Sequence, residues 1–380
     1  MADALNSPID TEDLDALQAL GHLLVEKTLQ RASLDEIKAL IELGAPLWYQ
    51  TDEEGMSALH AAAYTENMDA AKLLLEEGAI WNAVNDLRIT AGEIALSLNN
   101  ESMYTLIRNA GIRSEMLLAL LSKQTSSEPA SSLILRETDV TAAGSTESFL
   151  NSRLNYVTDE HGQEICVVKA GNDEVGVMMG WERPIMQETV RLLCSDHPHF
   201  TSSLKVLNVG FGLGIVDGYF QDLAVPPSHH VIIEPHPDVL HYMKANGWDK
   251  RPGVKILEGQ WQDFVESEEL LGAGGFDVIY TDTFSEDYLE LHKFFECLPD
   301  LLAGPDSRFS FFNGLGATNA LFYDVYTRLS ELHLSEVGID VAWQDVDVSS
   351  DADAERWGKT RAYFSMPLYR LPIGRMTSNV

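Results

Sequence analysis

From about residue 150 onward, short apolar runs alternate with amphipathic stretches. Strands are predicted at 204–209, 230–234, 254–257, 276–281 and 308–312, each a brief apolar run of the kind buried on both faces of a sheet. Apolar residues at helical spacing predict helices between them, at 214–223, 237–246, 290–302 and 319–333. A helix over Pro184–Leu193 comes earlier. Before it, Leu154-Asn155-Tyr156-Val157 and Glu164-Ile165-Cys166-Val167-Val168 flank the turn Asp159-Glu160-His161-Gly162 as a hairpin. Paired strands near 338–347 and 361–369 end the pattern. This order predicts an α/β domain over 150–380: a mostly parallel sheet with helices on both faces and a C-terminal antiparallel hairpin. Ligands of such sheets gather at the carboxyl ends of the strands, where Gly210, Glu234, Trp261, Asp282 and Asn313 stand.

The first 121 residues follow a different period. Leu43-Gly44-Ala45 recurs as Glu77-Gly78-Ala79 and again as Ala110-Gly111-Ile112, at intervals of 34 and 33. Between the first two lies Gly55-Met56-Ser57-Ala58-Leu59-His60-Ala61-Ala62-Ala63, then the amphipathic Ala70-Ala71-Lys72-Leu73-Leu74-Leu75. In period and turn this resembles the ankyrin repeat, a turn and two helices that bury an apolar face only against a neighbour. A later copy, Arg88-Ile89-Thr90-Ala91-Gly92-Glu93-Ile94-Ala95, departs at the His position. The resemblance implies an all-α region at 1–121, flanked by helices such as 13–31 and 113–123, whose task is recognition or packing. In that context His60 is expected as a hydrogen-bonded turn residue, not a ligand. Residues 122–149 are rich in Ser, Thr and Ala, interrupted by Leu133-Ile134-Leu135, and read as a linker.

Candidate chemistry concentrates in Lys205-Val206-Leu207-Asn208-Val209-Gly210-Phe211-Gly212-Leu213-Gly214. An apolar run ends in three alternate glycines, and Glu234 closes the next run, His230-Val231-Ile232-Ile233. Glycines let the backbone turn sharply and approach a ligand, and an acid at the next strand end accepts from ribose hydroxyls. A dinucleotide fingerprint would carry its third glycine at 215, where this chain has Ile215. That disfavours a nicotinamide oxidoreductase, and GxGxG spacing suits the nucleoside site of enzymes that use S-adenosylmethionine (SAM). Two further acids stand near this frame. Asp282, just past the run Phe276-Asp277-Val278-Ile279-Tyr280-Thr281, either points into the cofactor cleft or caps the following turn. Glu182 in Gly180-Trp181-Glu182-Arg183-Pro184 is either an ordinary acid at a helix start or a functional carboxylate.

Composition narrows the partners. The chain has 380 residues, room for two or three domains, and its 59 acidic against 26 basic side chains give a formal charge of −33. That balance argues against direct binding to nucleic acid and is compatible with a basic protein partner. No apolar run reaches membrane-spanning length, and the N-terminus lacks the pattern of a signal peptide. Cys166, Cys194 and Cys297 are scattered without metal-ligand spacing, which suits reduced thiols and a cytoplasmic and nuclear location.

Four segments together resemble guanidinoacetate methyltransferase: Val177-Met178-Met179-Gly180-Trp181-Glu182-Arg183-Pro184-Ile185-Met186, Val206–Gly212, Ile232-Ile233-Glu234, and Tyr280-Thr281-Asp282-Thr283-Phe284. Gly259-Gln260-Trp261-Gln262-Asp263 is similar to that family's adenine-side segment. The resemblance spans roughly 150–366. With a repeat array ahead of it, nearly the whole chain resembles the fungal protein arginine N5-methyltransferases, the type IV enzymes. Those methylate the internal δ-nitrogen of an arginine, with a large-subunit ribosomal protein as substrate. The resemblance implies SAM as methyl donor, S-adenosyl-L-homocysteine as product, and no metal. It implies SAM contacts at Tyr156, Met178 and Met186; at Gly210, Phe211, Gly212, Leu213, Gly214 and Ile215; at Glu234, Pro235 and His236 beside the ribose; at Trp261 and Gln262 near adenine; and at Asp282. Glu182 and Asp282 fall where the family holds the guanidino group, with Asp282 as the principal base. Asn208 and Gln262 depart from that pattern, each standing where the relative has an acid.

Two other readings remain at the level of sequence. One is a methyltransferase for a small guanidino compound, against which stand the repeats and the acidic surface. The other is a non-catalytic scaffold that binds SAM and a partner protein.

Overall fold

The computed structural model describes residues 11–124, 141–159, 162–171, 173–349 and 356–377. Leu133-Ile134-Leu135, together with Glu160 and His161 of the expected hairpin turn, lies outside them. The chain divides into two compact units, one of residues 1–130 with Asn319–Val325, the other of the remainder.

The described part of the first unit is helical: α1 (Thr11–Leu29), α2 (Leu34–Glu42), α3 (Ala58–Tyr64), α4 (Met68–Glu76), α5 (Ala91–Ser97) and α6 (Glu101–Gln124). Side-chain oxygens of Ser33, Ser57, Asn67 and Thr90 cap α2 to α5 by accepting from the first-turn amides. Ala61, Ala62, Ala63, Ala70 and Ala71 are wholly buried, and their small side chains let the helices approach closely. His60 is the turn residue expected. Its Nδ1 accepts from Ser57 N–H at 3.2 Å, and its Nε2 lies 3.0 Å from Ile89 O in the next turn, joining one repeat to its successor. In the degenerate copy Glu93 supplies the same cap, accepting from Thr90 N–H at 2.8 Å.

The third glycine differs from the first two. Gly44 and Gly78 end helices with φ of +94° and +95°, where a side chain would be strained. Gly111 instead sits inside α6, where a β-carbon would meet the Trp81 ring at 2.8 Å. The helix expected at 113–123 is therefore the second half of one continuous helix, and Gly111 is kept small for contact, not for a turn.

In the second unit, α7 (Thr146–Leu150) precedes the three-stranded antiparallel sheet of β1 (Leu154–Thr158), β2 (Glu164–Ala170) and β3 (Asp173–Met179). The stretch read as a linker thus carries structure at its described ends: α6 reaches Gln124, and α7 is anchored by buried Phe149 against Phe284 and His236. Strand β3 was not expected. Gly176 and two adjacent methionines give little strand signal, and the strand forms because its backbone pairs with β2.

Next come α8 (Arg183–Cys194), β4 (Lys205–Val209), α9 (Ile215–Gln221), β5 (His229–Glu234), α10 (Pro237–Ala245), β6 (Val254–Glu258), α11 (Glu268–Leu271), β7 (Val278–Thr281), α12 (Tyr288–Leu301), β8 (Arg308–Phe311), α13 (Ala320–Glu336), β9 (Ile339–Asp347) and β10 (Leu368–Met376). The described strands β4 to β10 form one sheet in the order β6-β5-β4-β7-β8-β10-β9, parallel through β8 with an antiparallel β9–β10 hairpin at the edge. The expected parallel sheet and terminal hairpin are present. The last strand lies further along than 361–369, because the hairpin pairs Leu368 with Asp347 and Met376 with Ile339. Residues 361–365 are used elsewhere: Arg361 N–H donates to Glu174 O at 3.0 Å and Ser365 N–H to Ala317 O at 2.8 Å.

Both faces of the sheet are apolar. Phe276, Phe294, Phe295, Phe309 and Phe311 belong to one buried cluster, and Phe211, Ile232, Val239, Met243 and Trp248 to another. Each such side chain contributes about 1.5–3 kcal/mol on burial. The direction of strand addition reverses between β4 and β7, and at that switch point the strand ends splay into a crevice.

Candidate active site

The turn after β4 forms one wall of this crevice. Gly210, Gly212 and Gly214 have φ of +91°, +56° and +70°, conformations that a β-carbon would strain. Space is equally restrictive: a β-carbon on Gly212 would stand 2.9 Å from Met178 Sδ, and one on Gly214 would stand 2.3 Å from the Phe211 ring. Glu234 at the end of β5 is buried and oriented by the backbone. Its Oε2 accepts from Phe211 N–H at 2.9 Å and its Oε1 from His236 N–H at 2.8 Å. Burial still outweighs these bonds and pushes Glu234 up to about 7.

Met178, Gly210, Phe211, Gly212, Glu234, Pro235, Trp261 and Asp282 line a common cavity here. The remaining residues of the expected set do not line it. Tyr156 stacks on Tyr242 at 4.1 Å between centroids and donates to Gly212 O at 3.3 Å, bracing the glycine turn. Met186 is wholly buried and accepts from the Tyr280 hydroxyl at 3.2 Å. Leu213 N–H donates to Met178 Sδ, while Gly214 and Ile215 start α9. His236 caps α10 and its Nε2 lies 3.0 Å from Phe149 O. Gln262 lies outside the lining, donating to Glu290 at 3.0 Å and Glu286 at 3.2 Å. Asn313 ends β8 as expected, but its side chain bonds Thr327 and Arg370 O, away from the cavity.

A second cavity shares Val177, Asp282, Thr283, Phe284 and Glu286 with the first and adds Glu182 and Tyr363. Glu182 is only 2% exposed, in the turn between β3 and α8. Asp282 leaves β7 with its N–H on Val209 O at 2.8 Å. Burial, and then the neighbouring Asp282 charge, push the Glu182 carboxyl well above its ordinary range; burial does the same to Asp282. Without a cation between them, the pair favours holding a proton. A guanidinium, always charged and fork-shaped, is the complement of such a pair.

Sequence reasoning missed Phe149, Glu286 and Tyr363. Phe149 sits in the Ser/Thr-rich stretch that masks it. Glu286, just beyond the Tyr280–Phe284 segment, accepts from Trp261 Nε1–H at 3.0 Å. Tyr363 has no local signal at all.

A glycine-turned parallel sheet with a strand-end acid and an adjoining two-carboxylate cavity defines a Rossmann-like methyltransferase domain, here accompanied by ankyrin repeats. The guanidinoacetate N-methyltransferase family matches residues 170–302, and ankyrin repeats (many copies) match residues 24–87. A protein of Cryptococcus neoformans var. neoformans serotype D named protein arginine N-methyltransferase 2 is 42% identical over 386 residues, spanning 97% of this chain and 99% of its own. Proteins of the same name are 34% identical in Aspergillus fumigatus, over 85% of this chain and 82% of theirs, and 34% in Saccharomyces cerevisiae, over 80% and 77%. The chain belongs to the protein arginine N-methyltransferase 2 family. Among solved structures, a spermidine synthase in complex with the transition-state analogue AdoDATO is a loose match: TM-score 0.39, 16% identity, 59% of this chain and 72% of that one.

Proposed function

We propose that the α/β domain transfers the methyl group of SAM to the internal δ-nitrogen (N5) of an arginine in a basic protein, with a large-subunit ribosomal protein as substrate. Such a substrate implies a cytoplasmic and nuclear enzyme. The observation that carries this reading is the juxtaposition of two cavities sharing Asp282, one lined by the glycine turn and Glu234, the other by Glu182.

The residues present fit the donor. The turn leaves no room for β-carbons, and just ahead of it Asn208 Oδ1 is buried with no hydrogen-bond partner among the described residues. When bound, SAM supplies an electrophilic sulfonium methyl. Glu234, its carboxylate plane fixed by two amides, would hold ribose hydroxyls, and Trp261 would pack on the adenine side. Glu182 and Asp282 bind the guanidinium by charge-assisted bonds and draw its positive charge away from the reacting nitrogen. With SAM as methyl donor, leaving as the neutral thioether S-adenosyl-L-homocysteine, Asp282 would accept the proton lost by the methylated nitrogen. Positioning of the two reactants accounts for most of the acceleration.

A small guanidino substrate is the second reading, favoured by the match to guanidinoacetate N-methyltransferase and by Arg361 at the cavity lining, a cation suited to a small substrate's carboxylate. Labelled SAM offered to free arginine, to guanidinoacetate and to large-subunit ribosomal proteins separates the two. Fragmentation mass spectrometry of the labelled protein should place the methyl on the δ-nitrogen. Methyl only on a terminal nitrogen, or only on a free guanidino compound, would overturn the reading.

A further inference from the structure

Tyr363 lies 181 residues from Glu182 in the chain and donates its phenolic hydrogen to Glu182 Oε1. The same oxygen accepts from Met179 N–H at 2.9 Å. Both bonds fall on Oε1, so Oε2 takes no part in either.

The segment that carries Tyr363 is tied down on both sides, by Arg361 N–H on Glu174 O and by Ser365 N–H on Ala317 O. Its ring meets Trp357 edge-on at 4.7 Å and tilts against Trp181 at 5.8 Å. Gly176 makes room for it, since a β-carbon there would stand 3.1 Å from Tyr363 Cε1. These contacts hold the ring with its hydroxyl on the carboxylate. Burial and the nearby Glu182 charge raise the phenol far above its ordinary range, so it keeps the proton it donates.

We propose that Tyr363 is a positioning residue for methyl transfer: it anchors Glu182 through Oε1, leaving Oε2 to grip the substrate guanidinium. The inference rests on the guanidinium-binding reading of the cavity. The hydroxyl also has an electrostatic role. Asp282 opposes ionisation of Glu182, Tyr280 lies within range of both acids, and Arg361 lines the same cavity. A hydroxyl that donates to the charged carboxylate lowers the Glu182 pKa and offsets part of that opposition.

Tyr363→Phe removes the donor and keeps the ring. It should lower kcat/KM by about tenfold to a hundredfold, the usual effect of losing a hydrogen bond to a charged group. It should also move the acidic limb of the pH profile to higher pH, with the melting temperature and SAM affinity close to those of the wild type. Replacing Tyr363 by 3-fluorotyrosine, a near-isosteric and stronger donor, should move that limb the opposite way and covers the case in which the Phe variant folds poorly. Carbon-13 NMR of the Glu182 carboxyl reads its pKa without turnover. A Glu182 pKa unchanged by both replacements would overturn the inference, even if methyl transfer proceeds. An upward shift in the Phe variant would uphold the anchor even if the acceptor proved not to be a guanidinium, a failure that absent activity in the wild type would reveal separately.

Discussion

The backbone carbonyl oxygen of Asp282 stands 2.0 Å from where a β-carbon on Gly210 would lie. The glycine turn that lines the first cavity and the strand end that carries Asp282 are therefore in direct backbone contact, held by the Asp282 N–H on Val209 O. That contact depends on the absence of one carbon atom.

Gly210→Ala should accordingly be costly. The new methyl meets backbone, which cannot rotate away, at a φ of +91°. A loss of about 2–4 kcal/mol is expected, read as a lower urea midpoint, together with loss of SAM binding by calorimetry. A midpoint equal to that of the wild type would show that β4 and β7 can separate freely.

Asp282→Asn keeps the shape of the base and removes its proton affinity. SAM binding should persist within a few-fold, while single-turnover methyl transfer falls by at least about 10³-fold. Near-normal turnover would transfer the role of base to another group.

The same carboxyls predict an unusual pH dependence of stability. Glu182 is pushed up to about 8 and Asp282 up to about 7, from ordinary values of 4.5 and 3.8. The folded protein thus keeps protons that the unfolded chain releases near pH 4. Their contribution is complete below that pH and is lost as pH rises through about 7 to 8. Glu182→Gln should therefore raise the melting temperature at pH 8 by a few degrees and leave it nearly unchanged at pH 4. Equal effects at both pH values would mean that the pair ionises without strain.

In the repeats, His60→Ala removes the link from one turn to the next. The lost bonds to Ser57 and Ile89 O should cost about 1–3 kcal/mol, seen by hydrogen exchange as earlier opening of α3 and α5. Glu93→Gln, which can still accept from Thr90 N–H, should cost less than about 1 kcal/mol.

Much of this architecture is legible along the chain because its signals are local. Alternate glycines, an acid at the next strand end, apolar periods of two and 3.6, and a repeat near 33 residues each need only neighbouring positions. They sufficed for the parallel sheet, the glycine turn with Glu234 at the next strand end, and the helical array. Local signals also misled. Gly111 matched the repeat period yet lies inside α6, and Phe149 was hidden among serines and threonines.

What the sequence determined by itself was therefore the kind of fold and the shape of the glycine turn, through residues whose meaning is set within one strand and one turn. The cavity that joins Glu182 to Asp282 was decided only in three dimensions. Glu182 and Asp282 share a cavity because strand order sets β7 beside β4 and because Met178, on β3 just ahead of the turn that carries Glu182, packs against the glycine turn. Tyr363 reaches Glu182 because the segment before β10 ties its backbone to β3. Such contacts depend on chain crossings over long sequence distances, and no spacing of residue types encodes them. That is why local pattern alone left each carboxylate open as an ordinary turn acid, while the cavity they share is visible only in the fold.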